Sequence, residues 1–297
     1  MGRFVIHLRL HYQLFILSGA FLLGALLSDQ FHARWFAIQF FNVHVLLFGG
    51  ATAYNSFWDR DEGPVGGLKH PPEMAQWMWF ASVFIQVAGL LLTVPMGAFF
   101  TGFYMLSIVL FWLYSSPWTR WKGQPLKSLF AIGISTGGNA VLMGYIAAGF
   151  GRLHPSIWIA AAGVTFILLS LYPVSQHYQR EEDRRRGDRT FAVSYGKDAV
   201  MRFFEASFTL GLLLTALAVG LRHLVLGAAF GIVGVIIGLL INYKLKAMMA
   251  KNEDDYQGVM QIKYRTSLGF VSFLVAALIM KHNDFLNSLP VVEWFLK

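Results

Sequence analysis

The chain has 297 residues, of which 56% are hydrophobic and only 13% charged, with a mean hydropathy of +0.53. That balance excludes an ordinary soluble domain of this length and points to an integral membrane protein. The sequence contains no cysteine, which excludes a disulfide framework, a thiolate metal site and thiol redox chemistry.

A helix needs about 20 apolar residues to cross the hydrocarbon core. The apolar runs predict nine spans, at 12–28, 35–54, 75–95, 97–114, 129–149, 156–173, 200–221, 224–243 and 266–281. Period-2 alternation is absent and glycine is frequent in these runs, so they read as packed helices rather than barrel strands. The expected fold is an all-α polytopic bundle of about nine transmembrane helices, one domain over 1–297.

Taken in chain order, residues 1–27 begin basic and turn apolar as a signal peptide does. Leu26-Leu27-Ser28-Asp29 is a poor cleavage site, so the segment is kept as the first span. His44 in the second span reads as a histidine satisfied within the bundle. That span runs into a polar cluster, Asn55-Ser56-Phe57-Trp58-Asp59-Arg60-Asp61-Glu62-Gly63, followed by the turn-rich Gly66-Gly67-Leu68-Lys69-His70-Pro71-Pro72, a candidate lid. The loop after the fourth span carries Arg120, Lys122 and Lys127. The fifth span holds Gly137-Gly138-Asn139, where Asn139 either orients an acceptor in the cavity or bonds between helices. The sixth span ends in a second cluster, Gln179-Arg180-Glu181-Glu182-Asp183-Arg184-Arg185-Arg186-Gly187-Asp188-Arg189-Thr190.

Of the 24 Lys and Arg residues, 19 fall on the side of the N-terminus and the even-numbered loops. The positive-inside rule therefore places both polar clusters at the cytoplasmic face, in a prokaryotic inner membrane as the default. The pI of about 9.7 is accounted for by this topology and by attraction to phosphates or anionic headgroups, and nucleic acid is not an expected partner.

Carboxylates at the mouth of a membrane bundle are costly unless paired, wetted or bound to a cation. On a continued helix Asn55, Asp59 and Glu62 share one face, as do Gln176, Gln179 and Asp183, with Asp61 and Glu182 adjacent. Two facing stripes of oxygen donors suit Mg²⁺, which takes a few carboxylates and completes its shell with water and phosphate oxygens. The interleaved cations Lys69, Arg120, Lys122 and Arg184 supply partners for a polyanion. Together the clusters read as a site for metal plus diphosphate.

At these residues the chain resembles the UbiA superfamily of intramembrane prenyltransferases. Asn55 and Asp59 match the first motif, NDxxDxxxD, and Asp183, Gly187 and Thr190 match the second, DxxxDxxxGxxT. The segment from Tyr114 to Lys122 is similar to the family's Y-S-x-P-x-R-x-K loop. Ser56, Gly63 and Gln179 stand where the motifs have Asp; Asp61 or Glu62, and Glu182 or Glu181, are the candidate replacements. The resemblance implies a Mg²⁺-dependent enzyme that transfers the chain of a polyprenyl diphosphate to a hydrophobic acceptor, often an aromatic ring bound for a quinone. It implies catalytic roles for Asp59 and Asp183, metal contacts from Asn55, Asp59, Asp61, Glu62, Gln179, Glu182 and Asp183, and diphosphate contacts from Lys69, Arg120, Lys122 and Arg184. Membrane lipid surrounds the bundle in this reading. Two competing readings are a phospho-alcohol transferase, suggested by Asp59-Arg60-Asp61-Glu62-Gly63, and a non-enzymatic lipid-binding or transport protein.

Overall fold

A computed structural model describes residues 2–60, 63–149, 152–250 and 256–282. Among the described residues nine helices are long and apolar enough to cross a membrane: α1 (Gly2–Leu27), α2 (Ala33–Asp59), α3 (Gln76–Met96), α4 (Ala98–Ser115), α5 (Pro125–Gly149), α6 (Pro155–Arg186), α7 (Phe191–Gly220), α8 (Leu224–Met249) and α9 (Tyr256–His282). All nine expected spans are present. Several run farther than hydropathy indicates; α2 and α6 carry the polar clusters as helical extensions beyond their apolar runs. The apolar side chains left on the outside, such as Phe84 and Phe99, each 71% exposed, suit a lipid-facing surface.

Helix starts follow local chemistry. Pro125 and Pro155 occupy first-turn positions, where a missing N–H costs nothing. The end of α6 is more consequential. Gly187 adopts a left-handed conformation at φ 77°, its N–H donates to Arg184 O at 3.1 Å, and Asp188 N–H donates to Asp183 O at 2.9 Å. This paired closure is a Schellman motif, which favours glycine at that position. It turns the chain back so that Thr190 Oγ1 donates to Asp183 Oδ2 at 3.0 Å. The Asp-Gly-Thr spacing of the second motif is thus a helix end that fixes its own carboxylate.

Close helix crossings depend on glycine. On α5, a Cβ at Gly144 would fall on the Phe21 carbonyl of α1, and one at Gly24 would meet Tyr145 N at 2.6 Å. In α6 and α7 a Cβ at Gly163 would lie 2.7 Å from Thr215 N, and one at Gly211 would lie 2.6 Å from Ile167 N. These are small-residue contacts of the kind that hold helices together in lipid, where dispersion replaces the hydrophobic effect.

Polar side chains add bonds between spans. Asn42 on α2 donates to Gly89 O of α3 at 2.9 Å and to Gln39 Oε1 at 2.9 Å, and accepts from Tyr104 OH of α4 at 3.0 Å. Asn42→Leu is expected to lower stability by about 1–2 kcal/mol, the scale of interhelical bonds in membranes; thermal unfolding in detergent reads the change.

His44 is fully buried, bonded through Nδ1 to Phe40 O at 2.7 Å and packed against Phe21 and Phe40. It serves the bundle, in line with its reading from sequence.

Candidate active site

The charged ends of α2 and α6, with the α4–α5 and α6–α7 connections, surround one mouth of a cavity of about 360 Å³. That size falls within the range for small-molecule sites, about 300–1,000 Å³. The mouth is lined by Asn55, Asp59, Lys122, Gln179, Glu182, Asp183, Arg186 and Asp188, and the interior by apolar side chains including Phe48, Phe111, Phe208, Phe230 and Phe270.

Asp59 lies at the last turn of α2 with its side chain only 6% exposed. Its Oδ1 pairs with Lys122 Nζ, and its Oδ2 accepts from Asn55 Nδ2 at 2.7 Å. The i,i+4 placement of Asn55 and Asp59 produces that contact directly. Asn55 Oδ1 in turn accepts from Ser115 Oγ at 2.8 Å. Asn55 therefore orients Asp59 through its amide nitrogen, while its amide oxygen takes the Ser115 hydroxyl on one of its two lone pairs.

Lys122 is held by the short connection between α4 and α5. Arg120 stands at φ 41°, a left-handed conformation that costs a residue with a Cβ about 1–2 kcal/mol. Its guanidinium grips Asp188 through two bonds, Nε to Oδ1 at 2.6 Å and Nη2 to Oδ2 at 2.7 Å. Gly123 O accepts from Arg189 N at 2.9 Å, and a Cβ on Gly123 would meet Asp188 Oδ1 at 2.5 Å. This clamp docks the connection onto the end of α6. Burial lowers the Lys122 ammonium to about 8 against the pull of Asp188, Asp183 and Glu182. Arg120→Lys keeps the charge and loses the planar fork; one charge-assisted bond is worth about 1.5–3 kcal/mol, and a matching drop in unfolding stability is expected by thermal denaturation.

On the opposite wall Asp183 Oδ2 is engaged by Thr190, while no hydrogen bond reaches Oδ1 from the described residues. Glu182 accepts from Arg186 Nη2 at 2.5 Å. Among the described residues no three His, Asp or Glu side chains converge as a ready metal cage. The donor set is all oxygen, with an open Asp183 atom beside Glu182. That fits a hard cation such as Mg²⁺, which takes one or two carboxylates and draws its other ligands from water and phosphate.

The segment after α2 lies over the mouth. Val65 and Leu68 exchange backbone bonds at 2.9 Å each, closing a turn in which Gly66 (φ 46°) and Gly67 (φ 89°) are both left-handed. Two such positions in succession favour Gly-Gly. Gln179 Nε2 donates to Pro64 O at 3.4 Å and Tyr256 OH to Leu68 O at 3.4 Å, tying the segment to α6 and α9. Val65 and Gly66 line the cavity.

Several expected site residues lie elsewhere. Arg184 is about half exposed and pairs with Glu181 at 2.6 Å, an i,i+3 contact along the helix that turns it away from the cavity. Lys69 is exposed on the covering segment and does not line the cavity. Arg120 supports the mouth through Asp188 instead of lining it. Asn139 donates to Phe103 O at 3.1 Å and Ser107 Oγ at 2.9 Å, joining α5 to α4 outside the cavity lining. Asp61 and Glu62 lie outside the described residues. Arg186 of the second cluster lines the cavity, and so do Asp188, Arg9 and Lys263, which had not been singled out. Arg9 Nη2 donates to Ser56 Oγ at 2.8 Å, and Lys263 Nζ donates to Tyr12 OH at 3.1 Å. For Arg9 and Lys263 charge type carried the only signal, because α1 and α9 are far from the clusters in sequence.

The profile of the UbiA prenyltransferase family matches residues 15–264. No curated protein is significantly similar to the chain. Among solved structures, a UbiA homolog from Archaeoglobus fulgidus bound to GPP and Mg²⁺ superposes with a TM-score of 0.71 at 15% identity, covering 93% of this chain and 99% of that one. The same homolog bound to Cd²⁺ gives 0.70 at 13% identity, covering 93% and 98%. A digeranylgeranylglyceryl phosphate synthase gives 0.60 at 16% identity, again covering 93% and 98%. At these identities the likeness establishes a shared fold.

Proposed function

Since this chain belongs to the UbiA prenyltransferase family and is a multi-pass membrane protein, we propose that it transfers a prenyl group from a polyprenyl diphosphate to an aromatic, quinone-precursor-type acceptor. The reading depends on Mg²⁺ and places the chemistry at the cytoplasmic face. It is carried by one observation: a mouth of paired carboxylates and cations opens onto an aromatic-lined apolar cavity between the helices. That one solved relative of the same fold binds GPP and Mg²⁺ supports the choice of donor and metal.

In this reading Asp183 and Glu182 would hold Mg²⁺, whose contribution is to neutralise charge developing on the diphosphate leaving group. Lys122 and Arg186, both at the mouth, contact the diphosphate oxygens and orient its bridging C–O bond toward the interior. The isoprenoid tail lies among Phe48, Phe111, Phe208, Phe230 and Phe270, which exclude water from the allylic cation and present ring faces to it. The Val65–Leu68 turn closes the mouth against solvent. The basic residues concentrated on the motif side support the cytoplasmic orientation.

Two experiments test the proposal. Mass spectrometry of products formed from geranylgeranyl diphosphate and a panel of aromatic acceptors should show a prenyl adduct that requires Mg²⁺; absence of any adduct across acidic and neutral acceptors would count against it. For orientation, the cysteine-free chain permits Lys69→Cys and Leu221→Cys probes. An impermeant thiol reagent should label only the second in intact cells, and the reverse pattern would overturn the orientation.

A further inference from the structure

The cations that line the cavity are not alike in what they already hold. At the motif wall Lys122 pairs with Asp59, and Arg186 donates to Glu182 at 2.5 Å. Lys263 differs. It stands about two turns into α9, which begins at Tyr256, and lines the cavity together with Tyr12 and Gln13 of α1. Its Nζ donates to the Tyr12 hydroxyl at 3.1 Å and lies 5.6 Å from the centre of the Tyr12 ring. No carboxylate among the described residues pairs with it. An ammonium that faces a cavity within a membrane bundle, bonded only to a neutral phenol, marks a place where a ligand brings the opposite charge.

Hydrogen-bond capacity narrows the ligand further. An ammonium has three N–H donors, and a phenol hydroxyl can give a hydrogen bond as well as take one. Lys263 spends one donor on Tyr12, so two ammonium donors and the Tyr12 O–H are left for an anion with two or more oxygens. Gln13, the next residue on α1, is fully buried. Its Nε2 donates to Leu8 O at 3.1 Å and to Thr52 Oγ1 at 3.2 Å, while no hydrogen bond reaches Oε1. Leu8 O can only accept, so the amide nitrogen must face it and the amide oxygen is left as a buried acceptor. Such an atom calls for a hydroxyl or N–H donor.

We infer that Lys263, Tyr12 and Gln13 hold the prenyl acceptor, and that this acceptor is an arene carrying both a carboxylate and a hydroxyl. The inference rests on the prenyl-diphosphate reading and names the acceptor within it. Lys263 and Tyr12 take the carboxylate, and Gln13 takes the hydroxyl. The diphosphate of the donor stays with Lys122, Arg186 and the metal at the motif wall, so each substrate has its own charge partners. Lys263 is then the residue that selects the acceptor by charge.

The test is equilibrium dialysis of full-length protein in neutral detergent, with a thiolo-diphosphate analogue of geranylgeranyl diphosphate present. The probes are 4-hydroxybenzoate, 1-hydroxy-2-naphthoate and the methyl ester of each. At least one acid should bind at least about tenfold tighter than its ester, the scale of one charge-assisted bond. Lys263→Met should bring acid and ester within about threefold of each other and leave affinity for the analogue within about threefold; Lys263→Arg should keep the preference for the acid. A preference that survives in folded Lys263→Met would overturn the inference. So would a tenfold loss of analogue affinity in that variant, which would assign Lys263 to the diphosphate. Binding of the analogue with no preference for either acid would overturn the inference and leave the prenyl-diphosphate reading standing, whereas no binding of the analogue would defeat that reading and the inference with it. The acid-to-ester ratio in the unmodified protein keeps the inference open to refutation even if a variant does not fold.

Discussion

Asp183→Asn is expected to reduce prenyl transfer by about 10²- to 10³-fold, the scale for removing one electrostatic partner of a transition state, without unfolding the protein. The substitution keeps a carbonyl oxygen for Thr190 Oγ1, so the helix end that the Gly187 turn creates stays closed. What disappears is the negative charge at the open Oδ1. Glu181→Gln is the matched control two residues earlier on the same turn. Glu181 is 67% exposed and pairs with Arg184 on the outer side of the helix, and exposed pairs of this kind contribute little. Its turnover should stay within twofold of the unmodified protein. Equal losses in both variants would mean that the general charge of the helix end matters and that Asp183 has no special place.

The second large effect concerns the fold. Gly144→Leu should prevent recovery of folded protein, with a destabilisation of at least about 4 kcal/mol, in the range reserved for severe core disruption. The atom that a new Cβ would meet is the backbone carbonyl of Phe21, which has no rotamer by which to move aside. To relieve the overlap α1 and α5 would have to separate, opening a core in which Phe21, Leu23, Met143 and Tyr145 are almost fully buried. Gly102→Ala provides the contrast. It lies within α4 with open space around it, and replacing glycine inside a helix should stabilise by about 0.5–1 kcal/mol. Size-exclusion profiles and thermal unfolding in detergent distinguish the two; a well-folded Gly144→Leu variant would show that the crossing is less tight than described.

The architecture was legible in the sequence because hydropathy is a local signal. Each apolar run near the membrane thickness became a helix, and the only systematic difference lies at the ends, where polar residues continue the helix beyond the apolar run. The placement of Asp59 and Asp183 at the mouth was legible for the same reason, since each directly follows a span. The i,i+4 relation of Asn55 and Asp59 was visible as well, although it gave the contact and not its use. Which atoms Asn55 spends depends on Ser115, 60 residues away. The partner of Lys122 was likewise hidden, because Asp59 and Lys122 meet only through packing of α2 against the α4–α5 connection. Arg184 illustrates the opposite error. A basic residue beside a motif carboxylate looks like a phosphate ligand, yet helix periodicity places it on the outer side with Glu181. Asn139 was weighed between cavity and helix packing, and its bonds to Phe103 and Ser107 decide for packing.

The central claim is that the charged mouth binds and cleaves a prenyl diphosphate. The most direct measurement is release of pyrophosphate from geranylgeranyl diphosphate by purified protein, with and without Mg²⁺ and mixed aromatic acceptors, alongside Asp59→Ala and Asp183→Ala. Release that requires Mg²⁺, rises with acceptor and is lost in both variants is the predicted result. Release that persists unchanged in both variants, or a bound diphosphate that no acceptor causes to be cleaved, would contradict it.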